Sequence, residues 1–150
     1  MKHSNYDNKQ NIYSQLSEND KEELHLLGIQ HFADVICIIS DILSYISTLE
    51  SIQLVYSKYD DTQDEVANPD IPAVKAAILL LFARLFYSQI GVIRYDHLYE
   101  RKMNGEYNYS LKPNVDINIA NIFKTIGSFY GLIAAIEIYN RDTQQPILGI

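Results

Sequence analysis

The chain has 150 residues, a formal net charge of −7 and one cysteine, and these values exclude several classes of protein. The excess of acidic over basic residues argues against a nucleic-acid partner, because proteins bind phosphate backbones mainly through Lys and Arg. Cys37 alone cannot form a disulfide within the chain, and the polar start lacks the apolar core of a secretion signal. We therefore expect the chain to be cytoplasmic. We also expect a single domain, because a chain of this length can bury a core without a metal or a disulfide.

The N-terminal part of the chain predicts a polar lead-in followed by a helix. Residues 1–16 hold little apolar material and are expected to be partly mobile, whereas residues 17–150 are expected to form a single helical domain. Ser17 is a residue type typical of the N-cap position, and acidic residues occupy the turn that follows it. Gly28 is predicted to break or bend the chain after a short N-terminal helix. Helical periodicity resumes at Ile29 and continues to about Lys58.

The second predicted helix has apolar residues on nearly every side. Asp70 is a candidate cap, and the apolar part extends from Ala73 to Ile93 before Asn104-Gly105 ends the helix. Arg84 lies in the middle of this stretch. A buried, unpaired charge is costly, so the sequence predicts that a carboxylate pairs with it. The candidates are Asp34, Asp41 and Glu137.

The third predicted helix follows Pro113, with Asn114 or Asp116 as its cap, and extends from about Ile117 to Tyr139. Between the second and third helices, residues 107–111 alternate apolar and polar side chains, which predicts an extended connector or a minor hairpin. The predicted fold is therefore all-α. Three long helices and a short N-terminal helix pack as an elongated antiparallel bundle.

Two strips of small residues mark the first and third helices. Each has the three- and four-residue spacing of one helix face, and small residues allow another backbone to come close. The sequence predicts that both strips are interfaces and leaves open whether the first packs within the chain or against another copy. The interface candidates are Cys37, Ser40, Ser44, Ser47 and Ser51 on the first helix, and Gly127, Gly131 and Ala134 on the third.

The densest polar cluster lies at the end of the second helix, where Arg94, His97 and Arg101 share one face. A histidine there could act as an acid or base, but no nucleophile occurs at a recognisable spacing. A solvated helix end is the simpler interpretation. Glu22-x-x-His25 and His97-x-x-Glu100 have helical spacing for metal ligands but lack the further carboxylates of a carboxylate-bridged site. We expect no catalytic residue, metal or other cofactor.

These observations favour a non-enzymatic interaction or structural module that self-associates as a homodimer or larger assembly. It could serve as an accessory or shell-forming subunit, for example viral or plasmid-borne, and another protein is a further possible partner. One alternative is a small membrane-associated protein with residues 71–93 as a span. The sequence argues against this alternative, because the cost of inserting Arg84 into a membrane offsets much of the free energy gained by inserting the apolar side chains. A second alternative is a helical enzyme or metal binder.

Overall fold

The computed structural model describes residues 13–59 and 67–144, and it confirms an all-α helical bundle with three long helices. Helix α1 spans Glu18–Ser57, α2 spans Asp70–Met103 and α3 spans Lys112–Gln144. They contain 40, 34 and 33 residues. A separate short helical turn includes residues 13–15. Most of the lead-in expected at 1–16 lies outside the described residues.

Helix α1 begins as predicted but is longer than predicted. The Ser17 hydroxyl accepts a hydrogen bond from the Asp20 amide at 3.2 Å, which satisfies one free donor of the first turn. The helix then continues through Gly28 without interruption. The expected break at Gly28 is wrong, because one glycine costs only about 1 kcal/mol within a long helix. The expected short N-terminal helix is present, but it lies before Ser17, at the turn that includes residues 13–15.

The predicted caps of α2 and α3 are also corrected by the structure. Asp70 is the first residue of α2, and its amide donates to the Asn68 side chain at 2.9 Å. Helix α3 begins at Lys112, so Pro113 lies in its first turn, where the missing amide hydrogen has no helical partner. Asn114 and Asp116 are therefore inside the helix. No strand occurs within residues 104–111, so of the two alternatives for this connection the hairpin is not formed.

Helix α2 lies between the other two and packs against both, whereas α1 and α3 scarcely touch each other. Close packing uses small residues, because Ala33 of α1 and Ala83 of α2 have no exposed surface. Ser40 is 2% exposed, and its hydroxyl donates to the Ala76 carbonyl at 2.8 Å. On the other side of α2, Gly91 lies directly against Asn118. The three helices are therefore arranged with α2 in the middle and with α1 and α3 on either side of it, separated from each other.

The outer surfaces of this arrangement are strongly apolar. Each helix is long and apolar enough to cross a membrane, with mean hydropathies of 1.7, 1.9 and 1.5 over the most apolar windows of α1, α2 and α3. Only 17%, 17% and 0% of those windows are buried inside the chain. Exposed side chains include, among others, Ile38, Ile42, Tyr45, Phe82, Leu85, Val92, Ile122, Phe123 and Tyr130. An apolar surface of this kind is normally in contact with a membrane or with other protein rather than with water.

Candidate interaction groove

The two strips of small residues border one open groove above α2. Ser40, Ser44 and Ser47 of α1 lie on one side of a cavity of about 480 Å³, and Gly127 and Gly131 of α3 lie on the other. Its floor is formed by α2, mainly by alanines. The strips therefore share a cavity without packing against each other, and their small side chains leave this space between α1 and α3.

The structure separates the roles of the residues within the first strip. Ser40 packs inside the chain against α2, while Ser44 and Ser51 are exposed. Cys37 is half-buried, with its Sγ 3.9 Å from the Tyr87 hydroxyl. Of the remaining candidates, Ala134 is exposed and does not line the cavity. The strip is thus internal at Ser40, half-buried at Cys37 and Ser47, and open only at Ser44 and Ser51.

Arg84 lies on the wall of this cavity without the predicted carboxylate. Neither Asp34, Asp41 nor Glu137 forms an ion pair with it, so that prediction is wrong within the chain. Asp34 instead accepts a hydrogen bond from the Tyr87 hydroxyl. The Arg84 guanidinium carbon lies 5.9 Å from the centre of the Tyr87 ring, and its buried Nε has no hydrogen-bond partner.

A second cavity of about 300 Å³, lined in part by amide side chains, lies beside Tyr87. Asn118 and Asn121 of α3 line it opposite Gln30 of α1. The Asn121 amide donates to the Tyr87 carbonyl at 3.3 Å, whereas the buried Oδ1 of Asn118 has no hydrogen-bond partner. Sequence reasoning missed this cavity. The available signal was the spacing of Asn114, Asn118 and Asn121, which places three amides on one face of an apolar helix.

The polar cluster Arg94, His97 and Arg101 does lie together, as its spacing predicts, and lines a third cavity of about 520 Å³. It is not simply a solvated helix end, because α1 supplies carboxylates to it. Arg94 forms an ion pair with Glu23 at 2.7 Å and a hydrogen bond to Gln30 at 3.0 Å. His97 lies 3.6 Å from Glu22. The cluster therefore joins the start of α1 to the end of α2.

The described residues contain no group of three or more His, Cys, Asp or Glu side chains placed to hold a metal ion. Glu22 and His97 belong to the two Glu/His spacings that the sequence analysis considered as metal ligands and set aside, and they do meet, but His25 and Glu100 are not part of that contact. The chemistry that the arrangement offers is therefore hydrogen bonding and ion pairing.

Charged residues in the central parts of the helices are concentrated on the groove side. Residues 29–47, 76–93 and 118–136 contain only Asp34, Asp41, Arg84 and Lys124 as charged side chains. Arg84 and Lys124 line the first cavity, and Asp34 binds Tyr87, which lines the second. Asp41 follows Asp34 by two turns and so shares its face. Three of the four central charges thus lie along or beside the groove, whereas Asp41 is exposed and lines neither cavity.

Comparisons of the chain with models of known families, with characterised proteins and with solved structures find no match.

Proposed function

We propose that this chain is a membrane-embedded helical interaction module that self-associates through its groove. Three observations support the proposal: the apolar outer faces of three long helices, the groove lined by small residues, and the placement of the central charges. The last of these carries it. Soluble proteins place charges outside and apolar residues inside, whereas here Asp34 and Arg84 are half-buried beside the groove and many large apolar side chains are exposed.

The cost of charge in a bilayer explains why this placement matters. An Asp, Lys or Arg at the centre of a spanning helix costs about 2.5–3.5 kcal/mol on insertion scales, so such residues normally face other protein or a polar cavity. Considered as isolated helices, α1 and α2 gain little from insertion. Considered together, Asp34 and Arg84 lie beside the groove, so of the central charges of α1 and α2 only the exposed Asp41 would have to be covered by something other than lipid.

Self-association follows from the open side of the groove. In a bilayer there is no hydrophobic effect between helices, so association depends on close packing at small residues and on polar contacts. The groove offers both, because Ser44, Gly127 and Gly131 line it together with Arg84. We expect a homodimer or larger assembly without catalytic activity.

Alkaline extraction of cell membranes tests the location. The wild-type chain is expected to stay in the membrane pellet at high pH and to be released only by detergent, because spanning helices are held by their apolar faces. Release into the alkaline supernatant, together with solubility after expression without detergent, would contradict a membrane-embedded chain.

Two serine variants test whether the groove is the contact between copies. Ser44→Arg places a large charge on the open part of the strip and is expected to give a folded monomer, measured as helical content and as mass in detergent. Ser40→Arg is the matched variant, and we expect it to lose its fold because Ser40 packs against α2. A Ser44→Arg protein that unfolds, or that keeps the wild-type mass, would count against the groove as an interface.

A soluble, cytoplasmic homo-oligomer, as expected from the sequence, is the second candidate. The specific observation in its favour is that Lys75, which lies within the apolar stretch Ala73 to Ile93, is exposed on α2, where lipid contact would be costly. In that case further copies of the chain, rather than lipid, would cover the outer apolar faces. The extraction experiment separates the two candidates.

A further inference from the structure

The cavity of about 480 Å³ is positively charged, although the whole chain has a net charge of −7. Arg84 of α2 and Lys124 of α3 line it, and the other described residues in its lining are Ser, Ala, Leu and Gly. No acidic side chain of the described residues belongs to the lining. Asp34, which is bonded to Tyr87, lies outside it. The local charge of this cavity is therefore opposite to that of the chain.

The cationic groups of this cavity have donors to spare. The Arg84 guanidinium has no ion pair among the described residues, and its buried Nε has no hydrogen-bond partner. A guanidinium presents its donors in a planar fork that matches two oxygens of a carboxylate or phosphate. Lys124 is exposed and likewise lacks an ion pair, and Ser128 adds a hydroxyl one turn further along α3. Positive charge together with hydrogen-bond donors suits an oxyanion.

The cations lie toward one end of the cavity, away from the exposed part of the serine strip. The Ser40 hydroxyl donates to the Ala76 carbonyl, whereas the Thr125 hydroxyl lies 3.4 Å from the Arg84 carbonyl oxygen. These two levels of α2 are separated by eight residues, or about 12 Å along the helix axis. Because α1 is antiparallel to α2, Ser44 lies beyond Ser40 on the side away from Arg84. An occupant held by Arg84 therefore leaves Ser44 available for a contact between copies.

We propose that this end of the groove binds a small soluble oxyanion, a carboxylate or phosphate, between Arg84 and Lys124. The cavity supports this class of ligand because its only charged lining groups are cations, and it is open because α1 and α3 scarcely touch each other. The site goes beyond the proposed self-association. Only the choice of a soluble anion over a lipid headgroup rests on the proposed membrane location.

The depth of Arg84 argues against a lipid headgroup as the source of the anion. Arg84 is the fifteenth of the 34 residues of α2, so it lies within about 4 Å of the middle of the helix along its axis. The hydrocarbon core of a bilayer is about 30 Å thick, so headgroups lie about 15 Å or more from a side chain at that depth. A small soluble anion can enter an open groove without bringing acyl chains with it.

Binding of inorganic phosphate to the full chain in uncharged detergent tests the site. Isothermal titration calorimetry is expected to show saturable binding. The midpoint of thermal unfolding is expected to rise with phosphate concentration, because a ligand that binds only the folded chain stabilises it. Sodium chloride at matched ionic strength controls for screening of charges. Acetate is the carboxylate probe, and the absence of saturable binding for both phosphate and acetate would overturn the proposal.

Three variants locate the binding. Lys124→Gln and Arg84→Gln are each expected to weaken phosphate binding by about tenfold or more, whereas Lys75→Gln, which removes an exposed charge of α2 outside the cavity, is expected to bind as the wild type does. Circular dichroism checks that each variant keeps its helices. Because Lys124 is exposed, its variant tests the site even where Arg84→Gln fails to fold. A helical Lys124→Gln protein with wild-type affinity would contradict the assignment.

Addition of phosphatidylglycerol to the same detergent distinguishes the two sources of an anion. We expect this lipid to change the unfolding midpoint of the wild type and of Lys124→Gln by the same amount. A stabilisation by the lipid that Lys124→Gln abolishes, without any effect of phosphate or acetate, would assign the site to a headgroup and overturn the soluble anion. Alkaline extraction and the mass in detergent do not depend on this site, so its failure is distinguishable from failure of the proposed function.

Discussion

Gly91 lies at a tight contact between α2 and α3. A methyl group added at this position would lie 2.3 Å from the Asn118 Oδ1 and 3.2 Å from the Asn121 Nδ2, distances at which a side chain must move. The contact also leaves the Asn118 oxygen facing the Gly91 backbone rather than a hydrogen-bond donor. This glycine therefore serves packing between helices, whereas Gly28 has nothing near it.

Gly91→Ala is expected to lower the free energy of unfolding by about 1–3 kcal/mol, because the Asn118 amide must leave its position in a packed contact. The measurement is thermal or denaturant unfolding in detergent. Gly28→Ala is the control and is expected to be neutral or stabilising by up to about 1 kcal/mol, since alanine favours helix.

A double variant tests the cause of that loss. Gly91→Ala combined with Asn118→Ala is expected to cost less than the sum of the two single changes, because removing the amide makes room for the new methyl group. Strictly additive losses would show that Asn118 is not the obstructing group.

At the scale of single elements, the sequence predicted the existence and order of the three long helices, the start of α1 and the ends of α1 and α2, but not the starts of α2 and α3. Ser17 was identifiable because its hydroxyl satisfies a free amide and acidic residues follow it. The starts of α2 and α3 could not be identified in this way. Asn68 is followed by Asp70, and Lys112 is followed by Asn114 and Asp116, and the side chains of these later residues are equally typical of caps. Gly28 was misread because local propensity is weak beside the apolar periodicity that continues on both sides of it.

Ser17→Ala is expected to loosen the first turn of α1, at a cost of about 0.5–2 kcal/mol, because the Asp20 amide loses its acceptor. Faster amide hydrogen exchange at residues 18–21 measures the effect locally. Ser17→Asp keeps an acceptor and is expected to retain protection. Equal exchange in all three proteins would show that the cap does not hold this turn.

The contact between the start of α1 and the end of α2 depends on ion pairs that are partly open to water. Glu23→Gln is expected to cost less than about 1 kcal/mol, and the cost should disappear near 1 M salt, because exposed pairs are weak and screened. Glu22→Gln is the matched variant and is expected to matter less, since its carboxylate is 3.6 Å from His97 rather than 2.7 Å from Arg94. Denaturant unfolding at low and high salt compares them.

For the whole molecule, the sequence identified both strips of small residues but not the cavity that they share. Helical spacing shows which residues lie on one face, and that sufficed for Ser40, Ser44, Gly127 and Gly131. It does not show which helix lies in the middle, and the position of α2 between α1 and α3 decides that the strips border a groove. For the same reason the sequence alone could not place Arg84 opposite Lys124 instead of beside a carboxylate.

The distribution of positive charge gives the proposed membrane module an orientation. Seven of the twelve Lys and Arg residues lie either before the central part of α1 or between the central parts of α2 and α3. Only three lie at the opposite ends of the helices. Because cytoplasmic connections are enriched in Lys and Arg, we expect the N-terminus and the connection at 104–111 on the cytoplasmic side. The connection after Ser57 is expected outside. The seven are Lys2, Lys9, Lys21, Arg94, Arg101, Lys102 and Lys112.

Labelling of single cysteines in intact cells tests this account most directly. Tyr59→Cys and Tyr109→Cys, each in a Cys37→Ser background, alter side chains that are 87% and 74% exposed at opposite ends of the bundle. With a maleimide that cannot cross the membrane, we expect the Tyr59→Cys variant to be labelled in intact cells and the Tyr109→Cys variant only after lysis. Protection of both until lysis, with both chains recovered in the soluble fraction, would contradict a membrane-spanning module.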